Sequence, residues 1–292
     1  MTKKQFIDTA YIKLGNKKNV HNRRRKYKEE YHLLENNKYF KNKYRDKRCF
    51  ILGNGPSLYS FEWALLKDEY TFTVNMLPKN RDFPKLRSNF HIWTDPIFFD
   101  TNIEDPYENS IIQSFKRLSK KEQQCTCFLP IHALGFVKKY QLDRNQKINY
   151  IDNCLKWPDG FSGDIDLTKA IFDCSTVVIQ AIEIAIYMGF SEIFLLGCDC
   201  TGILGQVNAQ LEQDITTYAY ELSEQDRDRI RSTNQMHSME GIFLQWVNVF
   251  HYYKELSWYC EKKDILLRNC TSGGILDSIP RRKLMDVLNN EY

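Results

Sequence analysis

The stretch Cys49-Phe50-Ile51-Leu52-Gly53-Asn54-Gly55-Pro56-Ser57 decides the fold. Residues 49–52 form a short apolar run that stops at a glycine-rich turn. A run of this kind bounded by turn residues reads as a strand buried on both faces. From there, strand and helix signals alternate, as in a parallel sheet covered by helices. Residues 60–67 read as a helix. Residues 70–74 read as a strand ending at Asn75, and 90–94 as a strand ending at Asp95-Pro96. Residues 101–124 are polar and helical in part, and 125–130 form another strand. The apolar segment 176–188 is a helix signalled by Asp173, Ser175 and Thr176 at its start and stopped by Gly189. Residues 192–196 then form a buried strand that delivers Gly197-Cys198-Asp199 at its carboxyl end. After a polar insertion at 206–234 come a helix at 239–254 and a strand at 265–267. Asn269-Cys270-Thr271-Ser272-Gly273-Gly274 follows, and Pro280 opens a terminal helix. The fold class is α/β: a Rossmann-like parallel sheet with helices on both faces and a lid-like insertion.

Composition agrees with a globular body. Of 292 residues, 42% are hydrophobic and 14% aromatic. No apolar run reaches the roughly 20 residues that cross a bilayer. The first residues lack the apolar segment of a signal peptide, so a cytoplasmic protein is expected. The nine cysteines show no zinc-site spacing and read as reduced, buried thiols. Residues 1–48 hold 16 Lys and Arg against 5 Asp and Glu, whereas the rest of the chain is net acidic. This basic N-terminal extension suits an anionic membrane surface or nucleic acid, or is a solvated helical extension. It is not a domain that reads DNA sequence, and no nucleic-acid partner is expected. The chemistry belongs to a single domain spanning 49–292, with the lid at about 206–234.

In an open α/β sheet, ligands bind outside the carboxyl ends of the strands. Asn54, Asn75, Asp95, Asp199 and Asn269 occupy those ends. Small polar side chains there can bond a ribose, a base or a sugar, although Asn and Asp also favour turns. The turn 53–57 is neither a Walker loop nor G-x-G-x-x-G. It can still offer backbone N–H groups and a helix N-terminus to phosphate. His237, between the polar insertion and a helix, suits a general base near neutral pH, or a surface or capping role. Asp164-Ile165-Asp166 has a D-x-D form but closes no strand, and no metal site is assigned to it.

Ile51-Leu52-Gly53-Asn54-Gly55-Pro56-Ser57-Leu58 resembles the N-terminal motif of the bacterial sialyltransferases of glycosyltransferase family forty-two. The resemblance continues in order through Asn75, Asp95-Pro96, the helix and strand from Ser175 to Asp199, Thr217-Tyr218-Ala219-Tyr220 and His237-Ser238, over roughly residues 49–270. It implies a variant GT-A fold and an inverting, metal-independent transfer from a CMP-activated sugar to a surface glycan or glycolipid acceptor. His237 would be the base, and Tyr218 would bond the departing phosphate. Asn54, Gly55, Pro56, Ser57, Asn75, Asp95, Ser175, Thr176, Asp199 and Asn269 would hold the donor. No cofactor is implied, and a peripheral membrane location and a homo-oligomer are compatible with it. Three departures leave the sugar open to another CMP-linked nonulosonate or Kdo. Asp95 stands where the family has asparagine, Cys174-Ser175-Thr176 lacks the family's glycine, and a second tyrosine is missing near Thr201.

Two alternatives stand beside this one. The same turn, with Asn269-Cys270-Thr271-Ser272-Gly273-Gly274, resembles the 6-hydroxymethylpterin diphosphokinase-like domain, which implies ATP and magnesium. The other is a non-catalytic binding protein of the same fold.

Overall fold

The computed structural model describes residues 3–99, 107–118, 125–214 and 218–291. Its centre is one eight-stranded sheet, built from β1 (Arg48–Leu52), β2 (Tyr70–Val74), β3 (Phe90–Ile92), β4 (Thr126–Pro130), β5 (Lys147–Leu155), β6 (Ala170–Phe172), β7 (Glu192–Leu196) and β8 (Leu266–Asn269). The order is β6-β5-β4-β3-β2-β1-β7-β8, and every pairing is parallel. The Rossmann-like α/β expectation is therefore met. Strand alternation divides the core into two layers. Cys49 and Ile51 of β1 join Ile193 and Leu195 of β7 on one face. Phe50 and Leu52 join Phe194 and Leu196 on the other.

The first face is covered by α4 (Val177–Met188) and α7 (Met239–Lys262). Ten residues of α4 are buried, which is why its sequence is apolar nearly all round. Thr176 is its extended N-cap, and Gly189 ends it at φ 89°. The opposite face carries α2 (Tyr107–Leu118), α3 (Leu134–Tyr140) and α8 (Leu284–Leu288). The chain runs outward from β1 to β6 and then returns to the far side of β1 with β7 and β8. This reversal places the ligand crevice of the fold at the carboxyl ends of β1 and β7.

Several local expectations are corrected. Residues 60–67 contain a 3-10 turn, Trp63–Leu66, where a helix was expected; buried Trp63 anchors it edge-on to Phe61 and Phe83. The helix expected over 239–254 runs to Lys262, because Leu256, Tyr259 and Cys260 continue its buried face. Pro280 opens no helix. It accepts the Asn269 N–H at 2.9 Å as residues 280–282 run beside β8. The expected partial helix in 101–124 is α2, and residues 101–106 and 119–124 lie outside the described residues. The polar insertion holds α5 (Gly202–Gln210) and α6 (Glu224–Gln235).

The basic segment 1–48 is not set apart from the rest. It begins with α1 (Lys3–Lys26), whose Asn16 exchanges hydrogen bonds of 2.8 Å with the backbone of Lys156 beyond β5. Arg23 Nε reaches the fully buried Asp152 at 2.8 Å, and Tyr31 Oη donates to the same carboxylate at 2.9 Å. Asn37, also fully buried, donates to Tyr150 O and Leu167 O. Asn42 and Tyr44 N–H groups meet the carbonyls of Tyr187 and Met188 at the end of α4. Arg48 is itself the first residue of β1. No helix among the described residues is long and apolar enough to cross a membrane.

Candidate functional site

The turn after β1 is tied to the end of β7. Gly53 N donates to Leu196 O and Gly55 N to Gly197 O, both at 2.8 Å. These two N–H groups, expected to face phosphate, are engaged by the neighbouring strand. The glycines serve close approach instead. A Cβ on Gly53 would lie 2.4 Å from Gly197 O, and one on Gly55 only 1.8 Å from Asp199 Oδ2. Ser57 Oγ donates to that same Oδ2 at 2.8 Å. Asp199 is 4% exposed. Burial lifts its carboxyl above the ordinary range, and the bond from Ser57 opposes the lift. Ser57 is thus a structural partner of Asp199, and Pro56 begins the 3-10 turn Pro56–Leu58.

Beside this junction a cleft of ≈ 530 Å³ opens over the strand ends. Asn54, Gly55, Asn75, Asp95, Ser175, Thr176, Asp199 and Tyr218 all line it, although they come from distant parts of the chain. Four buried polar atoms on its wall make no hydrogen bond among the described residues: Asn54 Oδ1, Asn75 Oδ1, Asn153 Oδ1 and Thr201 Oγ1. Buried acceptors are ordinarily paired, and these four are open to a polar partner in the cleft. Backbone strain gathers at the same place. Asn75 (φ 46°), Ser175 (φ 58°) and Cys200 (φ 55°) occupy the left-handed region on the cleft wall. Asn75 is held there by fully buried His91, whose Nε2 faces Asn75 O at 3.1 Å and whose Nδ1 faces Thr73 Oγ1 at 2.7 Å. A carbonyl can only accept, so Nε2 carries the proton and Nδ1 accepts from the hydroxyl. Burial presses the His91 pKa down to about 3, which keeps the ring neutral.

The described residues lining the cleft include Asp95, Asp173 and Asp199 but no Lys or Arg. Desolvation lifts Asp173 although part of it faces solvent; Ser175 N–H opposes that lift and Asp95 adds to it. Positive potential comes instead from two helix N-termini, those of α4 at Thr176 and of α5 at Thr201. Tyr218 is positioned by its neighbour. Ala219 N donates to Asn54 O at 2.8 Å, and Asn80 Nδ2 donates to Ala219 O. Thr217 lies outside the described residues.

Four expected residues do not line the cleft: Pro56 and Ser57 of the turn, Asn269 and His237. Asn269 is fully buried, gives its Nδ2 to Leu276 O and accepts from Thr271 N, so it folds its own loop and does not line the cleft. His237 is exposed in the turn between α6 and α7, outside the cleft lining, where its carbonyl accepts from Gln210 Nε2 at 3.2 Å. Its neighbour Ser238 caps α7 by accepting from Gly241 N at 3.1 Å. Sequence reading passed over Asn153, Asp173, Trp246 and Tyr253, which also line the cleft. The Asn153 signal was a polar residue closing the run Tyr150-Ile151-Asp152-Asn153. Trp246 and Tyr253 are seven residues apart, on one face of a helix. Asp164 pairs with Lys263, and Asp166 with Lys169, on the surface. Among the described residues Asp159, His251 and Glu255 place their ligand atoms within 4.8 Å of one another, a cluster the sequence spacing did not suggest.

No protein-family model matches the chain, and no curated protein matches it. Among solved structures it is similar to the MAf glycosyltransferase from Magnetospirillum magneticum AMB-1, at 12% identity and a TM-score of 0.46, over 86% of this chain and 38% of that one. It thus spans well under half of that protein's length. It is also similar to the sialyltransferase CstII from Campylobacter jejuni in complex with the substrate analogue CMP-3FNeuAc, at 17% identity and a TM-score of 0.43, over 80% of this chain and 85% of that one. A second CstII structure, with trisaccharide acceptor and CMP, gives 16% identity and a TM-score of 0.42, over 80% and 86%.

Proposed function

We propose that this chain is an inverting, metal-independent glycosyltransferase that moves sialic acid or a related CMP-activated sugar to a glycan or glycolipid acceptor. The observation that carries this reading is the set of unpaired oxygens of Asn54, Asn75 and Asn153 beside Tyr218 in one cleft at the strand ends. Carboxamide oxygens accept from ribose hydroxyls and from the exocyclic amine of cytosine. The N-termini of α4 and α5 offer N–H groups to the donor's phosphate and carboxylate without a cation. Tyr218 would donate to the phosphate as the bond from the anomeric carbon to the CMP oxygen breaks. His237 would take the proton of the acceptor hydroxyl as that oxygen attacks from the opposite side, which inverts the centre. Because His237 stands outside the cleft, the reading requires the turn between α6 and α7 to approach the bound donor.

The test is CMP release from CMP-activated sugars in the presence of EDTA. Activity that survives chelation and falls at least tenfold in His237→Ala supports the reading; undiminished activity in that variant removes His237 as the base. One observation favours a second reading: Asp95, Asp173 and Asp199 line the cleft, and carboxylates suit a nucleotide carried with magnesium. That reading, a 6-hydroxymethylpterin diphosphokinase-like enzyme, requires AMP release from ATP with a pterin acceptor and magnesium.

A further inference from the structure

The turn 53–57 has a second cavity on its other side. This pocket of ≈ 600 Å³ shares Gly197 with the cleft and includes Ser57 of the turn. Its charge is opposite. Arg281, Arg282 and Lys283 line it, and no Asp or Glu does among the described residues, whereas the cleft has three aspartates and no Lys or Arg. The three cations have different duties. Arg281 is held by backbone carbonyls, with Nη1 to Thr271 O and Nη2 to Gly274 O, both at 3.1 Å, so it shapes the loop after β8. Arg282 and Lys283 are exposed, and no ion pair among the described residues involves either. The nearest acid along the chain is Asp286, on α8.

Ser57, Asn269, Thr271 and Ser272 also line the pocket, and its apolar walls are made by Leu58, Phe61, Leu65, Leu196, Leu284 and Met285. An apolar trough with cations at its rim fits an anion carried on a hydrocarbon body. The hydrocarbon gains by leaving water, and guanidinium and ammonium groups pair with phosphate oxygens. A free phosphate would use only the rim, and a neutral glycan only the walls.

We propose that this pocket is the subsite for the anionic end of the acceptor, a phosphate ester on a hydrocarbon chain, lying next to the donor cleft across Gly197. The word acceptor rests on the glycosyl-transfer reading of that cleft; the binding chemistry of the pocket does not. The rim of Arg282 and Lys283 attracts the acceptor's phosphate, and the donor's phosphate is left to the helix N-termini of the cleft.

The experiment measures binding by calorimetry on the full chain, with monomeric dodecyl phosphate, dodecyl maltoside and inorganic phosphate as probes. Dodecyl phosphate should bind at least tenfold more tightly than either of the others. The double variant R282E/K283E should lose at least tenfold of that affinity, while the surface control K67E/K262E keeps it. Equal affinity in wild type and R282E/K283E overturns the proposal, as does equal binding of dodecyl maltoside. CMP binding is measured in parallel as a fold and cleft control. Retained CMP affinity in R282E/K283E shows that any loss is local to the pocket. If wild type binds dodecyl phosphate in this charge-dependent way but not CMP, the pocket stands and the donor reading fails. Phosphatidylglycerol vesicles form the last arm. Binding to them that exceeds dodecyl phosphate at equal phosphate concentration, and is lost in R282E/K283E, assigns the pocket to a membrane headgroup and overturns the acceptor assignment.

Discussion

Asp199, just beyond the end of β7, accepts a 2.8 Å hydrogen bond from the hydroxyl of Ser57, in the turn that follows β1. This bond joins the two strands flanking the topological reversal of the sheet, directly beneath the cleft. Gly55 fits between them only because it has no side chain.

Gly55→Ala therefore forces apart a packed junction. It should destabilise the protein by about 1–3 kcal/mol, the range for an overpacked site. Urea unfolding checks this, and a midpoint equal to wild type removes the steric argument.

Asp199→Asn is expected to behave differently. The folded state raises this carboxyl above its unfolded value near 3.8, so its contribution is full below that value and is lost as pH rises toward the folded value. At neutral pH the buried charge is a cost that the amide avoids, while the Ser57 hydroxyl can turn to accept from the new NH₂ group. The variant should equal or exceed wild-type stability at pH 7, with any advantage shrinking toward pH 3. A variant markedly less stable at pH 7 contradicts this account.

Asn75 separates backbone strain from ligand contact. Its φ of 46° is tolerated by Asn and free for Gly but costs Ala about 1 kcal/mol. Asn75→Ala should lower the melting temperature and Asn75→Gly should not. Both remove the unpaired Oδ1, and each should weaken CMP binding about tenfold, or ~1.4 kcal/mol. Unaltered CMP binding in both would falsify the donor role of that oxygen.

His91 sets an acid limit. The unfolded chain binds its proton near pH 6.5, whereas the folded ring resists protonation down to about 3. Stability should fall as pH drops through that window, by up to about 1.4 kcal/mol per pH unit from this group. His132, pressed down to about 4 by burial and by Arg23 and Lys26, adds a slope of the same sign. His91→Gln, which can still give and accept the two bonds, should flatten its share of the slope between pH 4 and 6. Identical pH–stability curves would rule out His91 as the source.

His237 and Ser238 are adjacent, yet their substitutions should separate. Ser238→Ala removes the N-cap of α7 and should cost about 1 kcal/mol. His237→Ala alters an exposed side chain and should stay within about 0.5 kcal/mol of wild type. Thermal unfolding of both distinguishes them, so any loss of transfer in His237→Ala reports on chemistry.

Much of this was legible in the chain. Apolar runs such as Phe50-Ile51-Leu52 and Ile193-Phe194-Leu195-Leu196 dictate strands buried on both faces, and alternation of such runs with helices dictates a parallel sheet. Since ligand crevices lie at strand carboxyl ends, Asn54, Asn75, Asp95 and Asp199 could be named before any coordinates. Only the tertiary structure decided which polar groups the protein uses on itself. Gly53 and Gly55 N–H groups and Ser57 satisfy neighbours distant in sequence and Asn269 satisfies its own loop, whereas Asn54, Asn75 and Asn153 keep a buried oxygen unpaired. It also showed the basic N-terminal segment packed onto β5 and α4, and Arg282 and Lys283 beside an apolar trough. Local sequence fixes which groups can donate or accept, but pairing and burial depend on contacts between residues a hundred or more positions apart, which no local pattern encodes.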